Sequence, residues 1–375
     1  MNITKTLTNL TYHLALGAIS LLDRGTFCHA ASISASSVQK PLNQYGDFML
    51  AAHWSSDLML DLCFVTHFIC FWPKSVLPTF LFPSDHRVEV AELLMVAIVR
   101  GAGKAAQEFL KNYPNNEAAS ILSSSKMTCL HVAAREGQRE LCTLLLDAGA
   151  SLHMADEKGN TPLHYTILSN QPEITDLLLS RGAAVDAVNN VGRSALHEAV
   201  LYGHRELCTL LLNAGASLDT VTKKGNTPLF CAVFNNQPEI ADLLLSCGAS
   251  IDVVNNAGRN ALHEAALYGH RELCTLLLDA GASLRAVSKN GNTPLHCAVL
   301  KNHPETTGLL LSRGAAINAL NDDGDSALHV AAWYGYHKPC ILLLDAGASL
   351  HVVNKKGKMP LHYAACRYVG SRYWI

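Results

Sequence analysis

Histidine, cysteine and glutamate are the residue types with the most chemistry in reach. The 375-residue sequence holds 18 histidines and 12 cysteines. Twice a histidine is followed at once by a glutamate, at His197-Glu198 and His263-Glu264. On a helix such a pair could serve metal-assisted hydrolysis, with the glutamate as general base, if a second histidine stood one turn later on the same face. Leu201 and Leu267 hold those places, and the next histidines, His204 and His270, come three residues too late. No Cys-x-x-Cys pair, phosphate-cradling loop or nucleophile elbow occurs either. The residues support no catalytic site, no metal centre and no cofactor, and the chain reads as non-enzymatic.

Something other than catalysis spaces the histidines. Seven close a four-residue phrase, complete in Thr161-Pro162-Leu163-His164 and Thr293-Pro294-Leu295-His296. His131, His197, His263, His329 and His362 close altered copies such as Ser194-Ala195-Leu196-His197, and in Thr227-Pro228-Leu229-Phe230 the histidine is lost. From Thr128 to Met359 the copies recur every 33 residues without slippage. His204 and His270 repeat at a second fixed position. A group that returns on every structural beat serves the structure, and a buried ring needs partners for both nitrogens.

The unit that must position these side chains is legible in residues 157–189. Glu157-Lys158-Gly159-Asn160 supplies a turn. Thr161 is placed to cap a helix, and Pro162 takes its first position, where a missing N–H costs nothing. The spacing predicts a short helix over 163–168 ending at Asn170, and a second opened by Pro172 and closed by Gly182. Ile174, Leu177 and Leu178, widened by Leu179, form its apolar stripe. Helices this short are marginal alone, so neighbouring repeats must cover their apolar faces. A chain that is 49% hydrophobic and 16% charged then places its Leu-Leu-Leu triplets between repeats.

The period and the Thr-Pro-Leu-His phrase resemble the ankyrin-repeat family over residues 125–375. The resemblance implies an all-α repeat solenoid of stacked helix-turn-helix units with short β-hairpin fingers. It also implies a hydrogen bond from each phrase histidine to neighbouring loop backbone, and a concave groove lined by the first helices. Seven full repeats and a truncated eighth are expected. Leu94 to Gly101 aligns with Leu130 to Gly137, which makes 88–124 a degenerate capping repeat. After Ala365 nothing suits a second helix, so the end face needs a longer chain or a partner for Tyr373 and Trp374.

Residues 1–87 lie outside the pattern and remain unassigned. They begin with a poor signal peptide and two glycosylation triplets, at Asn2 and Asn9, that matter only on a secretory route. Residues 58–82 are strongly apolar, but Asp61, His67, Pro73, Lys74 and Pro78 interrupt them. They read as a segment packed on the repeats, or as non-coding sequence, rather than a membrane span. Cys142, Cys208, Cys274 and Cys340 hold one position in alternate repeats, and Cys231 and Cys297 another. Copies that far apart in a stack cannot bond, so they read as small buried residues in a reducing compartment.

A second beat of 66 residues runs through the array. Residues 189–221 and 255–287 are identical at 27 of 33 positions, so the duplicated unit was a pair of repeats. A net charge of −2 gives no field suited to nucleic acid or an anionic membrane. What remains is a non-catalytic protein-binding scaffold, monomeric and cytoplasmic or nuclear, whose partner the sequence does not name. Adaptor delivery to a ubiquitin ligase or signalling complex is one alternative, and a membrane-associated or toxin-like protein another. The resemblance implies that finger tips and first-helix ends bind the partner. Lys223, Lys224 and Lys289 stand at tips, and Tyr202, Phe234, Tyr268, Trp333 and Tyr334 at helix ends. Solvated turns and packing against the adjacent finger are the competing readings.

Overall fold

The computed structural model describes residues 125–372. The proposed capping repeat, the apolar stretch 58–82 and the residues Tyr373 and Trp374 lie outside them. The chain divides between Ala184 and Val185 into two compact units, each built from the same helix pair. The first holds α1 (Cys129–Arg135), α2 (Arg139–Asp147), α3 (Pro162–Leu168) and α4 (Pro172–Ser180). The second holds the pairs α5 (Ala195–Leu201) and α6 (Arg205–Asn213), α7 (Pro228–Phe234) and α8 (Pro238–Ser246), and α9 (Ala261–Tyr268) and α10 (Arg271–Asp279). It continues with α11 (Pro294–Leu300) and α12 (Pro304–Ser312), α13 (Ala327–Tyr334) and α14 (His337–Asp345), and ends with α15 (Pro360–Arg372). Within each unit a first helix packs on the next first helix, and a second on the next second.

Local chemistry sets the boundaries as expected. Thr161 takes extended backbone before α3, Pro162 opens that helix, and Pro172 opens α4. Asn170 holds φ 52° in the turn between the helices, and Gly182 holds φ 89° beyond the second. The apolar stripe differs from the expected one. In α4 the buried residues are Ile174, Thr175 and Leu178, while Leu177 is half-buried. Thr175 is admitted because its hydroxyl lies within hydrogen-bond distance of the Gln171 carbonyl (2.8 Å) and of Thr166 Oγ1 (2.9 Å), so its one hydrogen and its lone pairs have partners. In every leucine triplet the central member is sealed: Leu145, Leu178, Leu211, Leu244, Leu277, Leu310 and Leu343 are all fully buried. Their flanking leucines lie on the borders of the stripe.

The fingers are tight turns without strands. Among the described residues one isolated antiparallel bridge occurs, Val188 with Ser194. The reason is local: Asn189 Oδ1 accepts from the N–H groups of Val191 and Arg193 at 3.2 and 3.0 Å. Two backbone bonds then close the turn, from Asn189 N–H to the Arg193 carbonyl (2.9 Å) and from Gly192 N–H to the Asn189 carbonyl (2.8 Å). The last element also departs from the repeat, since α15 continues for 13 residues through Gly370 and Ser371.

Candidate functional site

The histidines that invited a catalytic reading form clasps. In the first unit the Thr128 N–H donates to His131 Nδ1 at 3.0 Å, and His131 Nε2 lies 3.1 Å from the Asn160 carbonyl. An Nδ1 that accepts from an amide leaves the proton on Nε2, which donates to that carbonyl. In the second unit His197, His263 and His296 reach the carbonyls of Asn226, Asn292 and Asp325 at 3.0 Å, and His329 that of Lys358 at 3.1 Å. Each ring ties a helix start to the next finger. Burial pushes the His197 and His263 imidazoles down to about 4, against bonds from the carbonyls that favour the charged form. Such rings are neutral and saturated, and they have no lone pair left for a metal or a proton transfer.

The adjacent glutamates are structural too. Glu198 Oε2 lies 3.6 Å from Arg193 and Glu264 Oε2 lies 3.4 Å from Arg259, pairing a helix start with its own finger. Burial raises Glu264, and Arg259 pulls it back. The thiols of Cys142, Cys208, Cys231, Cys274 and Cys297 are buried and pushed up to about 12, which removes them as nucleophiles. No cluster of metal-ligating side chains occurs among the described residues.

The finger row of the second unit is exposed. Adjacent fingers are joined by single backbone bonds, from Lys223 N–H to Val191 O (3.1 Å), Asn256 to Lys224 (3.0 Å) and Lys289 to Ala257 (3.0 Å). The row continues from Asp322 to Asn290 (3.1 Å) and from Lys355 to Asp323 (3.0 Å). Glycine at the fourth finger position is needed for this approach. A Cβ on Gly258 would stand 2.7 Å from the Lys289 nitrogen, and φ is already +70°. Lys223, Lys224 and Lys289 are exposed and form no ion pair among the described residues.

The five aromatic residues are exposed as well, from Trp333 at 59% to Tyr334 at 41%. They do not form one ladder. Phe234 and Tyr268 meet edge to face at 5.3 Å, whereas Tyr202 stacks on His204 at 5.9 Å and Tyr334 on Tyr336 at 5.4 Å. Trp333 turns to Tyr363 at 4.9 Å. Tyr202, Tyr268 and Tyr334 follow the end of their helix phrase one residue later than Phe234 and Trp333 do, so two neighbouring columns exist, with Leu300 between Tyr268 and Trp333.

A further set was missed by sequence reasoning. Val188, Val221, Val254, Val287, Leu320 and Val353 each precede a finger and are about half exposed. The signal was present, an aliphatic residue at every thirty-third position. It was hidden because aliphatic residues in a period are read as core.

With helix pairs, clasps and finger row in place, the comparison with known proteins decides the family. The model of ankyrin repeats (3 copies) matches residues 94–189, 181–255, 235–321 and 305–372. The chain belongs to the ankyrin-repeat family. Protein binding is the general role of such repeats. Among curated relatives, diacylglycerol kinase zeta of Rattus norvegicus is 34% identical over 77 residues, 20% of this chain and 8% of that protein. Diacylglycerol kinase iota of Homo sapiens is 40% identical over 70 residues, 19% of this chain and 7% of that protein. This ankyrin-repeat chain therefore matches less than a tenth of either relative's length. No helix among the described residues is long and apolar enough to cross a membrane.

Proposed function

We propose that this chain is a non-catalytic scaffold that holds a polypeptide partner against the finger tips and first-helix ends of its second unit. The observation that carries the reading is the Phe234–Tyr268 pair, two large rings in contact with one another, 47% and 45% exposed, above a saturated interior. Exposed aromatic groups in contact offer much apolar area at little entropic cost, which is the chemistry of interface hot spots. Tyr202, Trp333 and Tyr334 extend the surface, and Lys223, Lys224 and Lys289 steer an acidic partner towards it. Residence in the cytoplasm or nucleus belongs to the same proposal, supported by cysteines that are free among the described residues. The test uses the full chain as bait, a partner recovered with it, and Phe234→Ala and Tyr268→Ala variants of unchanged helicity. Truncation of either ring should weaken binding by about tenfold or more. Parental affinity in both variants removes this surface as the site.

A further inference from the structure

Duplication within the chain lets one finger be compared with its own copies. Finger 189–193 reads Asn-Asn-Val-Gly-Arg, finger 255–259 Asn-Asn-Ala-Gly-Arg, and the next of that series, 321–325, Asn-Asp-Asp-Gly-Asp. The turn itself is preserved. Asn321 Oδ1 accepts from the N–H groups of Asp323 and Asp325 at 3.0 and 2.9 Å, as Asn255 does from Ala257 and Arg259 at 2.9 and 3.1 Å. Gly324 holds φ 76° where Gly258 holds 70°. The other three positions of the finger change, and all become aspartate. The buried partner changes with them: Val330 stands where Glu198 and Glu264 pair with arginine, and Asp325 instead accepts from Asn354 Nδ2 at 2.6 Å. Asp322 and Asp323 stay exposed and form no ion pair among the described residues, although cationic tips adjoin them on both sides.

The apolar column shares this surface. Val221 and Lys223, Val287 and Lys289, and Leu320 and Asp322 are each two residues apart, with the residue between them turned inward. On each of these three fingers an aliphatic and a charged residue are both exposed, and the side chain between them is bonded within its own turn. Repeats advance by about 8–10 Å, close to the rise of three extended residues. We propose that this row docks an extended polypeptide of mixed charge. It is acidic across Lys223 and Lys289, has a small apolar residue at every third position against the valine column, and carries arginine or lysine where it meets Asp322 and Asp323. The inference rests on the scaffold reading and adds what that reading lacks, a register. Repeats that are nearly identical offer a partner several equivalent positions, and the one acidic finger of the row marks a single one.

The probes are labelled peptides of roughly fifteen residues, matching five repeats at three residues each. All carry valine at every third position. One has glutamates throughout, one has two arginines replacing the glutamates at one end, and a serine version is the neutral control. Fluorescence anisotropy with the full chain should show the arginine-ended peptide binding roughly threefold to tenfold tighter than the wholly acidic one, the range expected of two exposed ion pairs. The variant D322N/D323N should erase that preference, and K223A/K289A should weaken both charged peptides. If the double variant loses helicity, D322N alone carries the comparison. Equal affinities for the parent, or a preference that survives in D322N, overturn the inference, and so does binding no better than the control. None of these touches the aromatic part of the scaffold reading, which stands or falls on Phe234 and Tyr268.

Discussion

The seam between repeats and the finger row respond oppositely to the same duplication. At the seam, Leu211, Leu244, Leu277 and Leu310 recur at identical spacing and full burial, and the clasps at His197, His263 and His296 recur with the same bond length. On the finger row the anchors recur, but the side chains between them run from arginine to lysine to aspartate. The difference teaches where each residue's energy resides. A seam residue is held by the repeats on both sides, so any change must be matched by both. A tip residue answers only to water, or to a partner.

Acid should break the comparison most strongly, because it acts on several clasps together. Burial holds these imidazoles below their ordinary value, so between about 6.5 and about 4 the unfolded chain binds protons that folded His197 and His263 refuse. Stability is complete above that window and is lost as the pH falls through it. Glu264 works in the opposite sense, since burial raises it and its protonation relieves a cost of folding. Urea midpoints of the full chain should fall steadily from pH 7 to pH 4.5. In His263→Phe, which copies the natural Phe230, the slope should be shallower. A midpoint that is flat across the window would contradict buried neutral clasps.

A single seam substitution comes next. Leu244 is fully buried at the centre of its triplet, and Leu244→Ala should cost about 2–5 kcal/mol in denaturant unfolding, through lost transfer energy and a cavity that neighbouring repeats cannot close. A cost below about 1 kcal/mol would mean that the seam is loosely packed.

The smallest effect belongs to the same repeat. Lys224 is exposed at the tip, and only its backbone carbonyl is engaged, by Asn256. Lys224→Ala should leave the midpoint unchanged within about 0.5 kcal/mol. A larger loss would move Lys224 from the partner surface into the folding unit.

How much of this was legible in the sequence varies with the distance over which each feature is decided. Helix starts and stops were readable because Thr161, Pro162, Asn170 and Gly182 act on backbone within a few residues of themselves. The clasp was implied by family resemblance, and its partner, 29 residues ahead, came from the structure. The two aromatic columns were harder to read, because periodicity counts repeats and ignores a one-residue offset, which rotates a side chain by about 100° around a helix. The valine column was overlooked because an aliphatic period signals burial equally for a helix stripe and for a finger edge.

The sequence by itself determined the period, the helix pair and the turn chemistry, the last two through backbone preferences that act within a few residues. Only the tertiary structure decided which leucine of each triplet is sealed, that Phe234 meets Tyr268 while Trp333 turns to Tyr363, and that Asp325 is spent on Asn354 while Asp322 and Asp323 face outward. Those outcomes depend on how one repeat superposes on the next. That superposition is set by packing between residues about one repeat apart, and no local preference encodes it.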